Sequence, residues 1–280
     1  MKRIENKTYD LERSLYNLKD TIVDSCSFKG PKDGESVLKE SRNVIIDNCD
    51  FSLRYPLWHA NKYEIKNSIF DEPSRAPIWY AFNGSINNCK IYSVKAVREC
   101  DDIEINKSEI ISPEFGWKSN HIRINDSRLE SEYPFLDSKN ININNLEFKG
   151  KYSFQYVENV VINNSNLKTK DAFWHSKNVT VINSVVDGEY LGWFSKGLTL
   201  INCKIIGTQP LCYCEDLKLI DCEMVNCDLS FEYSDVEASI KGYIISIKNP
   251  KSGNITVDKV GSIINSDSIM ENKCNIYIKK

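Results

Sequence analysis

Asn178-Val-Thr-Val-Ile-Asn-Ser-Val-Val186 decides how the rest of this 280-residue chain is read. An apolar residue, a residue of any kind and a second apolar residue are followed, three positions on, by a small Ser, and then by a last apolar side chain. The motif recurs along most of the sequence. Its second apolar position is held by Val23, Ile46, Ile65, Ile86, Ile105, Ile124, Ile143, Ile162, Val181, Leu200 and Leu219. The steps are 23, 19 and 21 residues at first, then always 19 from Ile86 onward. Self-similarity at such a period marks a solenoid, in which each repeat buries its apolar face against its neighbours.

The repeat alternates with period two, is rich in Val, Ile, Phe and Tyr, and is punctuated by Asn, so strands are chosen over helices. A left-handed β-solenoid is built on six-residue sub-periods, and none is present here. The expected fold is therefore all-β: a single-stranded right-handed parallel β-helix of about 11–12 coils. One interior ladder runs through Val44, Tyr63, Ile103 and Val179, and another through Phe28, Phe51, Phe70, Leu167 and Val186. Asn or Asp before the small position, as at Asn48, Asn67, Asn183 and Asn202, stands where each coil must bend, because Asn tolerates left-handed backbone. One domain is expected over residues 1–280, with an N-terminal coil or cap over 1–17, stacked coils over 18–240 and a β-rich cap over 241–280. In that cap Asn249-Pro-Lys-Ser-Gly253, between apolar runs, reads as a hairpin turn.

The net charge of -3 gives no basis for binding nucleic acid or an anionic membrane surface. No apolar run approaches the ~18 residues of a membrane span, and the first ten residues are polar, without a visible signal peptide. Cys26, Cys49, Cys89, Cys203 and Cys222 share one repeat position with Ser68, Ser108, Ser127, Ser165 and Ser184. A site that accepts either residue wants a small buried side chain, so the ten cysteines are read as free thiols of a cytoplasmic protein. Abundant Lys, Asn and Ile fit an AT-rich bacterial genome. No cofactor or metal is expected: His59 and His175 lie six coils apart, His121 stands at a turn, and there is no phosphate loop and no Gly-x-Ser-x-Gly.

A second segment, read as a second strand, precedes the first in each coil: Pro56-Leu-Trp-His-Ala60, Pro77-Ile-Trp-Tyr-Ala81, Ala172-Phe-Trp-His-Ser176 and Pro210-Leu-Cys-Tyr-Cys214. All five tryptophans, Trp58, Trp79, Trp117, Trp174 and Trp193, occupy its middle position, alongside Arg98 and Gln155. Such a coil has little room for five indoles, so this column is placed outward and the preceding one (Leu57, Ile78, Val97, Phe135, Phe154, Phe173, Leu211) inward. Strict alternation would then bury the following column too, although it holds His59, Glu99, Lys118 and His175. A bend or bulge would relieve the conflict, and the sequence leaves the facing open.

The functional expectation is a groove for a saccharide on the tryptophan-bearing face. Trp58, Trp79, Trp117, Trp174, Trp193 and Tyr213 would stack on sugar faces, and Gln155 and Lys170 would bond hydroxyls. Arg98, Glu114, Asp171, Glu189 and Glu232 are the candidate catalytic groups. Glycoside hydrolysis needs two carboxyls about a bond, which Asp171 with Glu189, or Glu114 with Glu132, would supply from adjacent coils. A lyase needs a base beside a carboxylate, where Arg98 or Lys170 would sit. Whether the protein is an enzyme stays open. The alternatives are a non-catalytic binding module and a structural or protein-interaction solenoid whose aromatic strip meets a partner, including a second copy in a homo-oligomer. The plainest alternative is a solvated face whose aromatics shield sheet edges.

Seven strings together resemble a bacterial family that carries a domain of unknown function and belongs to the pectin-lyase-like right-handed β-helix superfamily. They are Glu12-Arg-Ser-Leu-Tyr16, Asp33-Gly-Glu-Ser-Val-Leu-Lys39, Leu53-Arg-Tyr-Pro-Leu-Trp-His59, Lys170-Asp-Ala-Phe-Trp-His175, Gly188-Glu-Tyr-Leu-Gly-Trp193, Gly207-Thr-Gln-Pro-Leu-Cys212 and Phe231-Glu-Tyr-Ser234. The resemblance covers nearly the whole chain. It implies the same fold in a cytosolic bacterial protein and supplies no reaction.

Overall fold

Alternation within the repeat dictates what each coil does. In the strand Lys177–Ile182 the side chains of Val179 and Val181 point inward and their neighbours outward. Asn183 then takes a left-handed conformation (φ 50°), Ser184 turns inward, and the short strand Val185–Asp187 buries Val186. The same Asn or Asp bend recurs at Asn48, Asn67, Asn88, Asp126, Asn164, Asn202 and Asp221, all at positive φ. Their amides also bond from coil to coil, as in Asn88 Nδ2 to Asn67 Oδ1 (2.7 Å) and Asn202 Nδ2 to Asn183 Oδ1 (2.8 Å).

The computed structural model describes residues 1–279. It is an all-β parallel solenoid of about 15 turns, with one short 3₁₀ turn, Glu72–Ser74, as its helical element. The chain forms two compact units, Met1–Asn142 and Ile143–Lys280. In the first, Ile4, Val23, Ile46, Ile65 and Ile86 stack in parallel register, continued by Ile105 and Ile124. In the second, Ile162, Val181, Leu200, Leu219, Ala238, Ile255 and Ile276 do the same.

The stack thus runs beyond the 11–12 coils read from the motif, with rungs at Ile4, Ala238, Ile255 and Ile276. The expected hairpin at Asn249–Gly253 does not form. Asp235–Lys248, Ser252–Ile264 and Lys273–Ile278 pair in parallel as further coils. Their steps are 17 and 21 residues, and register shifts between Leu219 and Cys222 and between Ile240 and Tyr243 hide the period from the sequence.

Apolar ladders hold the first unit together. Phe28, Phe51 and Phe70 stack at 4.6 and 4.4 Å with their planes within 8°. Each buried phenyl contributes on the order of 2–3 kcal/mol by leaving water. Tyr63 enters the neighbouring ladder because Gly84 sits above it. A Cβ at residue 84 would lie 2.1 Å from the Tyr63 ring. All ten cysteines are unpaired thiols, nine of them buried.

Candidate ligand-binding face

The segment expected as a second strand is a turn. In residues 171–175 alternate positions take left-handed backbone: Asp171 at φ 52°, Phe173 at 63° and His175 at 55°. A chain of alternating hand does not place side chains on alternate faces as a strand does. Two successive residues, Trp174 and His175, therefore point outward, while Phe173 and Ser176 point inward at 1 % exposure each. This resolves the conflict in the facing. The column before the tryptophans is buried, as expected, and the polar column after them is outside. Left-handed backbone costs an ordinary residue roughly 1–2 kcal/mol. Here it is offset by hydrogen bonds between coils, such as His175 N–H to Trp193 O (3.0 Å) and Phe173 N–H to Ser153 O (2.9 Å).

The tryptophans are half-buried and engaged. Trp174 donates its indole N–H to Tyr190 O (2.6 Å), and Trp193 to Gln209 O (2.8 Å). In the first unit Trp58 donates to Ala76 O (2.9 Å) and Trp117 to Tyr133 O. Gln155, in the same column, reproduces the bond with its amide, Nε2 to Asp171 O (3.0 Å). The shared role is to satisfy a turn carbonyl of the next coil. The Trp79 N–H is buried without an acceptor among the described residues.

The rings are also engaged along the stack. Trp174 lies on Trp193 at 5.4 Å with planes 5° apart, and Tyr213 stands edge-on to Trp193 at 5.5 Å. In the first unit the Arg98 guanidinium sits 4.9 Å from the Trp79 ring centre and 4.8 Å from that of Trp117. The expectation that sugars stack on this column meets an obstacle: Trp79 and Trp193 already pack against Arg98, Trp174 and Tyr213.

The candidate acids are engaged as well. Arg98 Nη1 lies 3.1 Å from Glu114 Oε2, and Lys95 Nζ lies 3.4 Å from the same oxygen. Lys170 Nζ is 3.1 Å from Glu189 Oε2, which raises the Lys170 pKa. Glu232 pairs with Lys248 (3.0 Å), which also reaches Asp267 (3.1 Å). Lys248 was not singled out in the sequence, and its two carboxylates raise its pKa. Asp171 is 7 % exposed. Burial raises its carboxyl above the usual range, Glu189 adds to the rise, and Lys170 and Lys151 oppose it. The expected crowding of Asp171 with Glu189 is thus shared with a lysine.

The structure brings together Arg98, Glu114, Trp79 and Trp117 in the first unit. In the second it brings together Lys170, Asp171, Trp174, Glu189 and Trp193, with Gln155 bonded to the Asp171 carbonyl. Glu232 belongs to the Lys248 cluster, and Tyr213 to a ring ladder that sequence reading missed. In that ladder Tyr156 and His175 lie 4.9 Å apart, His175 and Phe194 5.1 Å, and Phe194 and Tyr213 4.9 Å, all within 13° of parallel. The polar character of the column was its signal.

In each unit a buried floor residue, small at most coils, separates this outer column from the residues that open the following strands. In the first unit the floor is Ser41, Ala60 and Ala81, all fully buried, and a depression there is lined by Glu40, Arg42, His59, Asn61 and Phe82. In the second unit the floor is Ser176, Ser195 and Cys214, between the ring ladder and Lys177, Lys196 and Glu215. Among the described residues no group of three His, Cys, Asp or Glu side chains could hold a metal ion. No helix of these residues is long and apolar enough to cross a membrane.

The protein was compared with known proteins. A search of curated proteins found no match. Similar solved structures include PfbA, a surface adhesin of Streptococcus pneumoniae, at 9% identity and a TM-score of 0.40, over 94% of this chain and 84% of that one. A double mutant of the periplasmic alginate epimerase AlgG matches at 7% identity and a TM-score of 0.33, over 93% and 77%. A Yersinia enterocolitica family 28 exopolygalacturonase matches at 9% identity and a TM-score of 0.28, over 99% and 73%. Likeness at this level carries nothing about activity. A family profile, in contrast, spans residues 2–278, and the chain belongs to the family it describes, "Protein of unknown function (DUF3737)".

Proposed function

We propose that the protein is a non-catalytic binding solenoid that holds a carbohydrate-like ligand in the depression beside the turn column of its first unit. The observation that supports this reading is the depression lined by Glu40, Arg42, His59, Asn61 and Phe82, where an exposed ring stands with charged and amide groups beside the small buried residues Ser41 and Ala60. The argument against turnover is that Glu114, Glu189 and Glu232 are each held by a cation. A general acid or nucleophile must be free to reach the reacting bond.

The test is calorimetric titration with a broad oligosaccharide panel, run beside assays for new reducing ends and for unsaturated products. Binding without product is the expected result. Product formation removes the non-catalytic reading, and silence across the panel removes the carbohydrate reading. A second reading, a protein-interaction solenoid, draws on the stacked ring ladder, in which Tyr156 is 53% and Phe194 45% exposed. It requires a concentration-dependent dimer or a captured partner that Phe194→Lys releases.

A further inference from the structure

We infer that the depression lined by Glu40, Arg42, His59, Asn61 and Phe82 is a recognition subsite for an uncharged sugar unit with neighbouring hydroxyls, an inference that rests on the carbohydrate-binding reading above. Two columns of the first unit build it. Glu40 and His59 are successive outer turn residues. Arg42, Asn61 and Phe82 are successive strand starts in parallel register. Ser41 and Ala60 lie between them and are fully buried, so nothing large fills the space.

Availability separates this depression from the tryptophan column. Phe82 is 42% exposed, and no other ring among the described residues packs on it. An exposed phenyl ring offers apolar surface to the C–H side of a sugar. The Asn61 side-chain Oδ1 accepts from Asn83 Nδ2 (2.9 Å), and its Nδ2 has no acceptor among the described residues. The Glu40 carboxylate and the Arg42 guanidinium have no ion-pair partner among the described residues, and they do not pair with each other. A carboxylate accepts hydrogen bonds, and a guanidinium donates them in a fixed fork. Two adjacent hydroxyls, each both donor and acceptor, satisfy the two together.

The pair also selects charge. An acidic sugar would be drawn by Arg42 and repelled by Glu40, and an amino sugar would meet the reverse. An uncharged polyol loses nothing to either. His59, which also lines the depression, is held in place by Tyr80, stacked at 5.1 Å and 18°.

Parent protein, Glu40→Gln, Arg42→Met and Phe82→Ala are titrated with neutral gluco-, xylo- and manno-oligosaccharides and with uronic-acid oligomers. Thermal midpoints confirm that each variant is folded. The parent is expected to bind a neutral oligomer more tightly than any uronic one, and each substitution to weaken that binding about tenfold or more, through a lost charged hydrogen bond at Glu40 or Arg42 and lost ring contact at Phe82. If the parent binds a neutral oligomer and all three folded variants bind it equally well, the subsite is wrong while the binding function stands. Tightest binding to a uronic oligomer, strengthened further by Glu40→Gln, overturns the ligand class. If no oligosaccharide binds the parent, the carbohydrate reading fails and the subsite fails with it.

Discussion

The tryptophan column and the Glu40–Phe82 depression are built from the same kinds of side chain and use them in opposite ways. In the column, indole N–H groups satisfy turn carbonyls, ring faces meet the next ring or a guanidinium, and acids are held by lysine or arginine. In the depression Phe82 is exposed, and Glu40 and Arg42 have no ion-pair partner among the described residues. Aromatic density therefore marks scaffold here, and chemical availability marks the candidate site. The reason lies in the turn. Its left-handed residues project two successive side chains outward, and the first of the two, Trp or Gln155, donates to a turn carbonyl of the next coil.

That contrast is broken most directly at Trp193. Trp193→Ala removes a half-buried indole, its stacking on Trp174 and its bond to Gln209 O. It should destabilise the protein by about 2–3 kcal/mol, below the full-core range because the ring is partly exposed. Phe82→Ala should change stability by less than about 0.5 kcal/mol, as at an ordinary surface position. Urea midpoints at constant slope measure both. Equal losses at the two sites would erase the distinction between scaffold and site.

A middle-sized effect is expected at Arg98, the rung where a cation replaces an indole. Arg98→Met keeps the length of the side chain and removes two cation–π contacts and the bond to Glu114. At about 0.5–1 kcal/mol per contact, a loss of roughly 1–2 kcal/mol is expected. A double-mutant cycle with Glu114→Gln sharpens the point. If Arg98 is scaffold, the two substitutions couple, because Glu114 retains Lys95 but loses its closer partner. Zero coupling would return Arg98 to the pool of groups free to meet a ligand.

The legible part of this molecule was what repeats. The Val23–Leu219 register and the Asn bends followed from period and side-chain size alone. The coils at Ala238, Ile255 and Ile276 were not legible, because a 17-residue and a 21-residue step with register shifts break the period while parallel pairing survives. The outward facing of His59 and His175 was hidden for another reason. Strand alternation was assumed, and nothing local in Ala172-Phe-Trp-His-Ser176 announces that a bulky Phe173 will accept φ 63°. The engagement of Glu114 and Glu189 was out of reach too, since charge partners one coil away are set by rotamers. The subsite at Glu40 was missed because every tryptophan pointed elsewhere.

The smallest expected effect tests the scaffold reading of Asp171. Its carboxyl is nearly buried beside Gln155 and Lys170, and burial raises its pKa. A raised carboxyl pKa means that the folded state holds this proton more tightly than the unfolded chain does. Stability from this group is then unaffected at pH values where both states are protonated, and it falls as pH rises through the folded pKa. At neutral pH the buried charge is a modest burden on the fold, eased by Lys170 and Lys151. Asp171→Asn keeps the shape and removes the charge, so its thermal midpoint should exceed the parent's at pH 7, and the gap should close in acid. A catalytic or ligand-binding carboxylate would be retained despite that burden for its chemistry, and its removal would abolish turnover or binding. If Asp171→Asn instead destabilises the protein at neutral pH, the charge is part of a favourable cluster with Lys170 and Glu189, and the description of Asp171 as a buried, weakly strained group is wrong.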